Sequence, residues 1–480
     1  MAANAWRLGG MGLGTLCLGL VATADWLFYG RPIGWTAGGY LLLLILCVSR
    51  RSASGIGKRQ RRVLQAGLIG LAVALAYHPG PLAIVLAAVG IVSLSFLSRG
   101  GWTDSVPEWF RRWGCFLGNG WKAWWHDLRL MISRRFRKLG GNAPASGVLR
   151  QWAVPSVLGA MFLCLFSAAN PMIERMIGQA GEFLEDGFRF FTEHLDFGRT
   201  ILWGLSAVWL WALFRARART AQAPESSGGS DPYSTSAVER CLWLFNVLFA
   251  IQTALDIGYL WGGVRLPEGM TYAEYAHRGA YPLIATALLA AVFVLVTFRE
   301  GGAAERTRRA RRLVGGWIAQ NVILTFSAAW RLKLYTDAYG LSRWRLASGI
   351  WTGLVAIGLV WIGWRILAGR TNEWLMRVNA GTAVVVLYAC AFVDWDGGIA
   401  WHNVRHCREA GGRGAPIDLA YLNELGEASI PAIVWLADRI PTGPIRTEAI
   451  YRIGSLRGEL RERLADWRGW TFLRQKLEKS

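Results

Sequence analysis

Residues 40–51 read YLLLLILCVSRR, an uncharged apolar run that ends in two arginines. A bilayer core is about 30 Å thick and an α-helix rises 1.5 Å per residue, so roughly 20 apolar residues make one crossing. Ten other stretches share this character, and one soluble core does not fit so many of them. The sequence therefore predicts an all-α fold, a polytopic transmembrane helical bundle of about 11 spans. We place the spans at 8–28, 33–49, 63–78, 81–97, 152–170, 200–215, 240–260, 280–298, 313–333, 347–366 and 378–394.

Basic residues are concentrated in every second loop. Residues 50–62 hold six Lys or Arg and no acid, and residues 98–150 hold ten against three acids. The loop at 171–199 instead holds six acids and three arginines. Because basic loops stay in the cytoplasm, the pattern predicts an amino terminus inside and a carboxyl terminus outside. Loop placement and anionic lipid then account for the net charge of +21, so the expected partner is the lipid bilayer and not nucleic acid.

The order of spans and loops divides the chain into six regions. We expect the second region to lie on the membrane surface as amphipathic helices, although a partner-binding or regulatory segment would have a similar composition. The regions are a four-span amino-terminal unit (1–97), a basic, Trp-rich cytoplasmic segment (98–150), two spans with an acidic outer loop (151–220), a linker (221–237), a five-span core (238–394) and a small helical extracytoplasmic domain (395–480).

The carboxyl-terminal region has apolar residues at helical spacing without a run long enough to cross a membrane. Ser429 and Pro431 form a helix-start arrangement, and Pro441 and Pro444 break the chain. From 456 to 477, apolar residues recur every three or four positions. This period predicts one last amphipathic helix, packed on the membrane domain or on a partner, or docked on the membrane surface.

A few polar residues lie within the predicted spans. Such residues usually face a cavity or a partner, because a charge at bilayer depth costs about 2.5–3.5 kcal/mol. The seventh and ninth spans leave the membrane on the same side, so Asp256 and Arg331 could form a pair. Structural hydrogen bonding between helices and a transport path both fit this pattern. The members of this candidate cluster are Asn246, Asp256, Gln320, Asn321 and Arg331.

The loop at 266–282 is the most distinctive outer stretch. Thr271 and Glu274 have the spacing of a capping box, which starts a short helix at the membrane interface. Anchoring explains its residues, and catalysis is the alternative, with Glu274, His277 or Asp337 as acid or base. Together with two tyrosines after the ninth span, the candidate outer residues are Glu268, Tyr272, Glu274, Tyr275, His277, Arg278, Tyr335 and Tyr339.

Metal and cofactor motifs are weak or absent. His402 and His406 are four apart and Cys407 follows, but no clear acidic third ligand accompanies them. Phosphate-binding glycine loops, dinucleotide fingerprints and nucleophile elbows are missing from the sequence. We therefore expect no cofactor, no metal and no catalytic residue. The seven cysteines suggest no disulfide framework.

Several short motifs resemble a bacterial integral-membrane family known as domain of unknown function 4173. They lie within residues 238–436, and the loop motif is the most specific: LFN (244–246), LPEGMTYAEYAHRG (266–279), AQN (319–321), RLKLY (331–335), AYGL (338–341) and DLAYL (418–422). The resemblance implies a multi-pass protein of the bacterial inner (cytoplasmic) membrane. It implies no activity and no substrate.

Three functions remain open at this point. The favoured one is a non-enzymatic envelope scaffold or accessory component that engages an envelope protein partner at its outer face. The second is a transporter or permease with a polar path between spans 7 and 9. The third is a membrane-embedded enzyme acting on lipid or glycan.

Overall fold

The structure, a computed structural model, describes residues 12–50, 58–100, 103, 105–138, 196–215, 235–258 and 307–479. Every regular element in these ranges is a helix, so the described part of the chain is all-α. Its first ten helices are α1 (Leu13–Phe28), α2 (Thr36–Arg50), α3 (Lys58–Tyr77), α4 (Pro81–Gly100), α5 (Val106–Lys138), α6 (Phe197–Arg215), α7 (Thr235–Asp256), α8 (Arg308–Tyr339), α9 (Arg343–Ala368) and α10 (Asn372–Cys390).

Five more helices follow α10. They are α11 (Trp395–His406), α12 (Leu419–Glu424), α13 (Ile430–Arg439), α14 (Pro444–Ala465) and α15 (Phe472–Glu478). Three 3₁₀ turns connect them, at Arg408–Ala410, Gly426–Ser429 and Trp467–Gly469. We call residues 395–479 the tail.

Several helices are long and apolar enough to cross a membrane. Within the described ranges there are five such helices, α4 and α6–α9, or up to six if α10 and α11 form one bent span. The apolar helices α1 and α2 are shorter. Two of the predicted spans, 152–170 and 280–298, lie outside the described residues.

The front helices α1–α4 and α6 pack around one apolar core. Its buried members come from every helix of the group, and they include Leu20, Leu44, Leu68, Ile91 and Leu213. Between helices surrounded by lipid, close van der Waals packing of such side chains is a main source of attraction.

Small and hydroxyl side chains bring these front helices close together. A Cβ atom at Gly38 would lie 2.3 Å from the carbonyl oxygen of Ala72, so α2 and α3 approach each other only with glycine there. The hydroxyl of Ser95 donates to the carbonyl of Leu213, 2.6 Å away, and so joins α4 to α6.

Within the basic, Trp-rich region, Val106–Lys138 form one long helix, α5, packed against α4 and α6. Phe116 is buried in the front core, and the rings of Trp113 and Phe116 each lie 5.9 Å from that of Phe96. At the other contact, Asp127 accepts hydrogen bonds from Trp211 (3.1 Å) and from Arg215 (2.6 Å). The predicted amphipathic segment therefore has its apolar face on protein over part of its length.

The tail has an apolar core of its own. The axis of α11 turns by 72° from that of α10, and α11 then packs against α13. Leu422, Ile430, Ile433 and Leu436 are fully buried between these helices and α14. The predicted helix start near Ser429 and the break at Pro441 are both observed.

The prediction of one continuous last helix is wrong. α14 ends at Ala465, and the chain turns before α15 begins at Phe472. Asp466 accepts from the backbone N–H of Arg468, and Thr471 caps α15 by accepting from that of Arg474. The apolar period continues through this turn because Trp467, Trp470 and Leu473 pack from separate elements. Period alone could not reveal the break.

The tail contacts two connections that are far apart in sequence. The backbone N–H of Trp35, in the α1–α2 connection, donates to the carbonyl of Trp470 at 2.9 Å, and its indole donates to that of Trp467 at 3.0 Å. The α8–α9 turn is bound by Asn403 of α11. Both connections therefore lie at the same end of the bundle as the tail.

Candidate functional site

Asn246 joins α7 to α8. Its side-chain amide donates to the carbonyl of Leu242 in α7 (2.8 Å) and to that of Leu313 in α8 (3.0 Å). In return, the amide of Gln320 donates to the backbone carbonyl of Asn246 at 3.1 Å. Gly316 faces this point, where a Cβ atom would lie 3.0 Å from the Asn246 side chain. These bonds are the ones expected of structural hydrogen bonding between helices.

The remaining members of the polar cluster are Asn321, Arg331 and Asp256. Asn321 is buried, and its amide donates to the carbonyl of Trp317 in its own helix at 2.8 Å. Arg331 is also buried, with 7% of its surface exposed. The backbone of Asp256 ends α7, but its side chain lies outside the described part of the structure. The proposed pair between Asp256 and Arg331 therefore stays a prediction.

The candidate outer residues fall into two groups. Glu268, Tyr272, Glu274, Tyr275, His277 and Arg278 lie outside the described residues, and their role stays a prediction. Tyr335 and Tyr339 are described, on the last turn of α8. Their ring centroids are 4.9 Å apart, and the guanidinium of Arg345 lies 4.4 Å from the Tyr335 ring.

Arg345 also shapes the α8–α9 turn. Gly340 ends α8 with φ +76°, a left-handed conformation that favours glycine. Arg345 donates to the carbonyls of Tyr339 (3.0 Å) and Gly340, which have no partner within the helix. Ser342 accepts from the backbone N–H of Arg345 and so starts α9. One arginine thereby closes α8 at the point where α9 begins.

Asn403 and Arg343 make polar contacts that attach this turn to the tail. The side chain of Asn403 accepts from the N–H of Leu341 at 2.6 Å and donates to the carbonyl of Leu341 at 2.9 Å. Arg343 donates to both carboxylate oxygens of Asp396 at 2.6 and 2.9 Å. Planar groups that pair through two bonds also fix orientation. The turn and α11 are therefore held in one relative position.

A cleft opens beside this junction, between the α8–α9 turn, α11 and the loop before α12. We call it the tail cleft. It encloses about 440 Å³, within the range of about 300–1,000 Å³ typical of small-molecule sites. Its lining comprises Thr336, Asp337, residues 339–342, Arg345, His402, Asn403, His406, Cys407, residues 413–418 and Tyr421.

Two histidines stack on one wall of the tail cleft. The rings of His402 and His406 have centroids 4.3 Å apart and an interplanar angle of 26°. Nδ1 of His406 lies 2.7 Å from the carbonyl oxygen of His402. A carbonyl only accepts, so the neutral His406 ring carries its proton on Nδ1 and leaves Nε2 as an acceptor.

The titratable neighbours of this pair differ in their effects. Burial lowers the pKa of His402 below its ordinary value, the neighbouring His406 acts in the same direction, and Asp337 opposes both. Burial raises the pKa of the Cys407 thiol, whose Sγ donates to the carbonyl of Val404. The neutral imidazole of His402 and the protonated thiol of Cys407 are therefore the favoured forms near neutral pH.

A metal ion has no adequate set of ligands among the described residues. No group of three or more His, Cys, Asp or Glu side chains there is arranged to hold one.

Part of this site could be predicted from the sequence. Tyr339, Asp337 and the two histidines were each identified as candidates, but the cleft that contains them all was not predicted. Asn403 and Arg413 were missed, because they meet the α8–α9 turn across 60 or more residues of sequence. Arg345 was missed although its bonds to Tyr339 and Gly340 are local. The Gly340 turn was the available signal, since glycine after a helix followed by a serine cap indicates a tight helix–helix connection.

Comparison with known families decides the classification of the chain. A profile described as domain of unknown function (DUF4153) matches residues 10–436. The chain belongs to this family. The DUF4153 match covers the front helices as well as the back ones, so it extends beyond the resemblance found within 238–436. The family number 4173 is not confirmed by it. No curated protein and no solved structure matches the chain.

Proposed function

We propose that this DUF4153 protein is a multi-pass protein of the bacterial inner membrane and a non-enzymatic envelope scaffold or accessory component. In this proposal the chain has eleven spans, a cytoplasmic amino terminus and a tail on the outer side. Its working surface is the tail together with the connections bound to it, and its partner is another envelope protein.

One observation carries the proposal: the tail binds the α1–α2 connection and the α8–α9 turn at once. Trp470 of the tail is hydrogen-bonded to Trp35, and Asn403 of the tail is hydrogen-bonded to Leu341. Asn403 and Trp470 lie near opposite ends of the tail sequence. The ion pair of Glu427 with the buried Arg474 stiffens the tail between these contacts. Such an arrangement supports a rigid platform at one end of the membrane helices.

The nearly neutral charge balance of the tail supports a position on the outer side of the membrane. Residues 395–480 hold thirteen basic and eleven acidic residues, a nearly neutral balance, whereas the loops predicted to be cytoplasmic are strongly basic. By the same rule, the excess of arginines in α5 supports a cytoplasmic position for this helix.

The transporter alternative receives less support. The side-chain amides of Asn246 and Gln320 already donate hydrogen bonds between α7 and α8. These donors therefore join the two helices and do not line an open path. An enzymatic role has the tail cleft in its favour, because Asp337 and two histidines line it.

A labelling experiment tests the orientation. Ser455 is exposed on α14, and Cys115 is an exposed cysteine on α5. We expect a membrane-impermeant maleimide to label Ser455→Cys, in a Cys115→Ser background, in intact spheroplasts. Cys115 of the unmodified protein should react only after permeabilisation. The reverse order would contradict the proposed topology.

A crosslinking experiment tests the scaffold role. Tyr451 of the tail and Leu367 at the end of α9 are 69% and 86% exposed. A photo-crosslinking residue at Tyr451 should give one reproducible protein adduct in native membranes, and one at Leu367 should not give that adduct. Solute uptake by proteoliposomes that Asp256→Asn abolishes would replace the scaffold with the transporter.

A further inference from the structure

The charged side chains that line the tail cleft balance each other. Among its charged lining residues, Arg345 and Arg413 are matched in number by Asp337 and Asp418. Asp418 is engaged as the cap of α12, where it accepts from the N–H of Tyr421 at 2.9 Å. With His402 favoured as neutral, the cleft has no net charge to attract a simple anion or cation.

Unused donors and acceptors nevertheless line the same cleft. Nε of Arg345 is buried without a hydrogen-bond partner, and Arg413 is exposed. Nε2 of His406 is left as an acceptor by the bond at Nδ1, and the carboxylate of Asp337 is exposed. The cleft therefore suits a ligand whose groups both donate and accept. Hydroxyl groups do both.

An aromatic surface completes the lining. Tyr339 is 54% exposed at the rim, beside Tyr335. The face of an aromatic ring carries partial negative charge, which attracts the C–H groups of an apolar ligand face. A sugar combines such a face with a ring of hydroxyls.

We propose that the tail cleft binds a neutral sugar, presented either by a glycolipid head group or by a free glycan. Asp337 and His406 accept hydrogen bonds from sugar hydroxyls, Arg345 and Arg413 donate to them, and Tyr339 covers one face of the ring. The proposal extends the scaffold function by adding a glycan ligand at the same end of the molecule. It uses neither the orientation of the chain nor a protein partner.

Histidine NMR on the full-length protein provides the test, because the chain has only six histidines. The protein is labelled with ¹⁵N-histidine, purified in a detergent without a sugar head group and titrated with maltose. Dodecyl maltoside supplies the same sugar on an alkyl chain, and inorganic phosphate tests a simple anion. We expect maltose to shift the His402 and His406 signals with a Kd in the millimolar range. A glycolipid source predicts tighter binding of dodecyl maltoside, and a free glycan source predicts equal binding.

Matched variants connect the shifts to the cleft. Asp337→Asn and Arg413→Ala change exposed side chains, so both variants should fold, and each should weaken sugar binding about ten-fold. Arg405→Ala, an exposed arginine of α11 outside the cleft lining, should bind as the unmodified protein does. The proposal is overturned if neither sugar shifts these signals, if phosphate alone does, or if Asp337→Asn and Arg413→Ala bind normally. Any of these outcomes would leave the proposed topology and scaffold role unaffected, because the sugar-binding proposal depends on neither of them.

Discussion

The guanidinium of Arg343 binds both carboxylate oxygens of Asp396, at 2.6 and 2.9 Å. Arg343 is the first residue of α9, and Asp396 lies in the first turn of α11. An acid near a helix amino terminus is electrostatically favoured, and this acid also holds the neighbouring helix. The contact places the tail against α9, which helps to give the tail cleft a defined shape.

Asn403→Ala should loosen the tail from the α8–α9 turn. The substitution removes both hydrogen bonds to Leu341 and leaves its backbone N–H and carbonyl without them. Leaving such groups unsatisfied costs about 1–3 kcal/mol in the free energy of unfolding. Thermal unfolding of the purified protein should show this as a lower midpoint.

Asn423→Ala is the control for that measurement. The side-chain oxygen of Asn423 is buried without a hydrogen-bond partner in the structure, so its removal should change the midpoint much less. Equal effects of the two variants would show that the Asn403 contacts contribute nothing specific.

Glu427→Gln should destabilise the tail more strongly. Glu427 pairs with Arg463 and, at 2.6 Å, with Arg474, whose side chain is only 10% exposed. Losing the charge leaves a largely buried guanidinium without its counter-ion, which costs about 3 kcal/mol. Denaturant titration followed by protease resistance of the tail would measure the loss.

Glu459→Gln is the control substitution for Glu427→Gln. Glu459 is 49% exposed and lies 3.6 Å from the same Arg463. Exposed pairs contribute at most about 1 kcal/mol. If the two substitutions destabilise equally, the burial argument for Glu427 fails.

Asn246→Ala should weaken the contact between α7 and α8. It removes the bond to the carbonyl of Leu313, and interhelical bonds of this kind contribute about 0.6–1.7 kcal/mol within membranes. Unfolding in mild detergent should therefore begin at lower denaturant. Asn379→Ala in α10 is the comparison, because Asn379 bonds to Leu375 of its own helix. A greater loss in Asn379→Ala would argue against the cross-helix role.

The tail should lose stability as the pH falls below about 6.5, the ordinary pKa of histidine. Burial lowers the pKa of His402 in the folded protein, with a further effect of His406 and an opposing one of Asp337. Below pH 6.5 the unfolded chain therefore binds the proton more readily, so stability present at higher pH is lost. The loss ends once the pH is below the folded pKa.

Unfolding midpoints at pH 7.5 and 5.5 provide the measurement. His402→Gln should reduce the difference between the two midpoints, since glutamine does not titrate. An unchanged difference would assign the pH dependence to other groups.

Local sequence features predicted most of the described helices. Apolar length located α1–α4 and α6–α10, and proline positions located the end of α13 and the start of α14, because these properties act within one segment. The last helix was the exception. Its leucines and tryptophans kept a helical period although the Asp466 and Thr471 caps divide it, and those caps were the overlooked signal.

The sequence by itself determined the helical class, the apolar stretches and the basic loops, since each depends on composition over about 20 neighbouring residues. Only the tertiary structure brought Leu341 to Asn403, Arg343 to Asp396 and Trp35 to Trp470. These pairs are separated by 62, 53 and more than 400 residues, and each contact depends on how whole helices pack. A single sequence contains no record of that packing. The tail cleft, which exists only where those segments meet, was therefore decided by the tertiary structure.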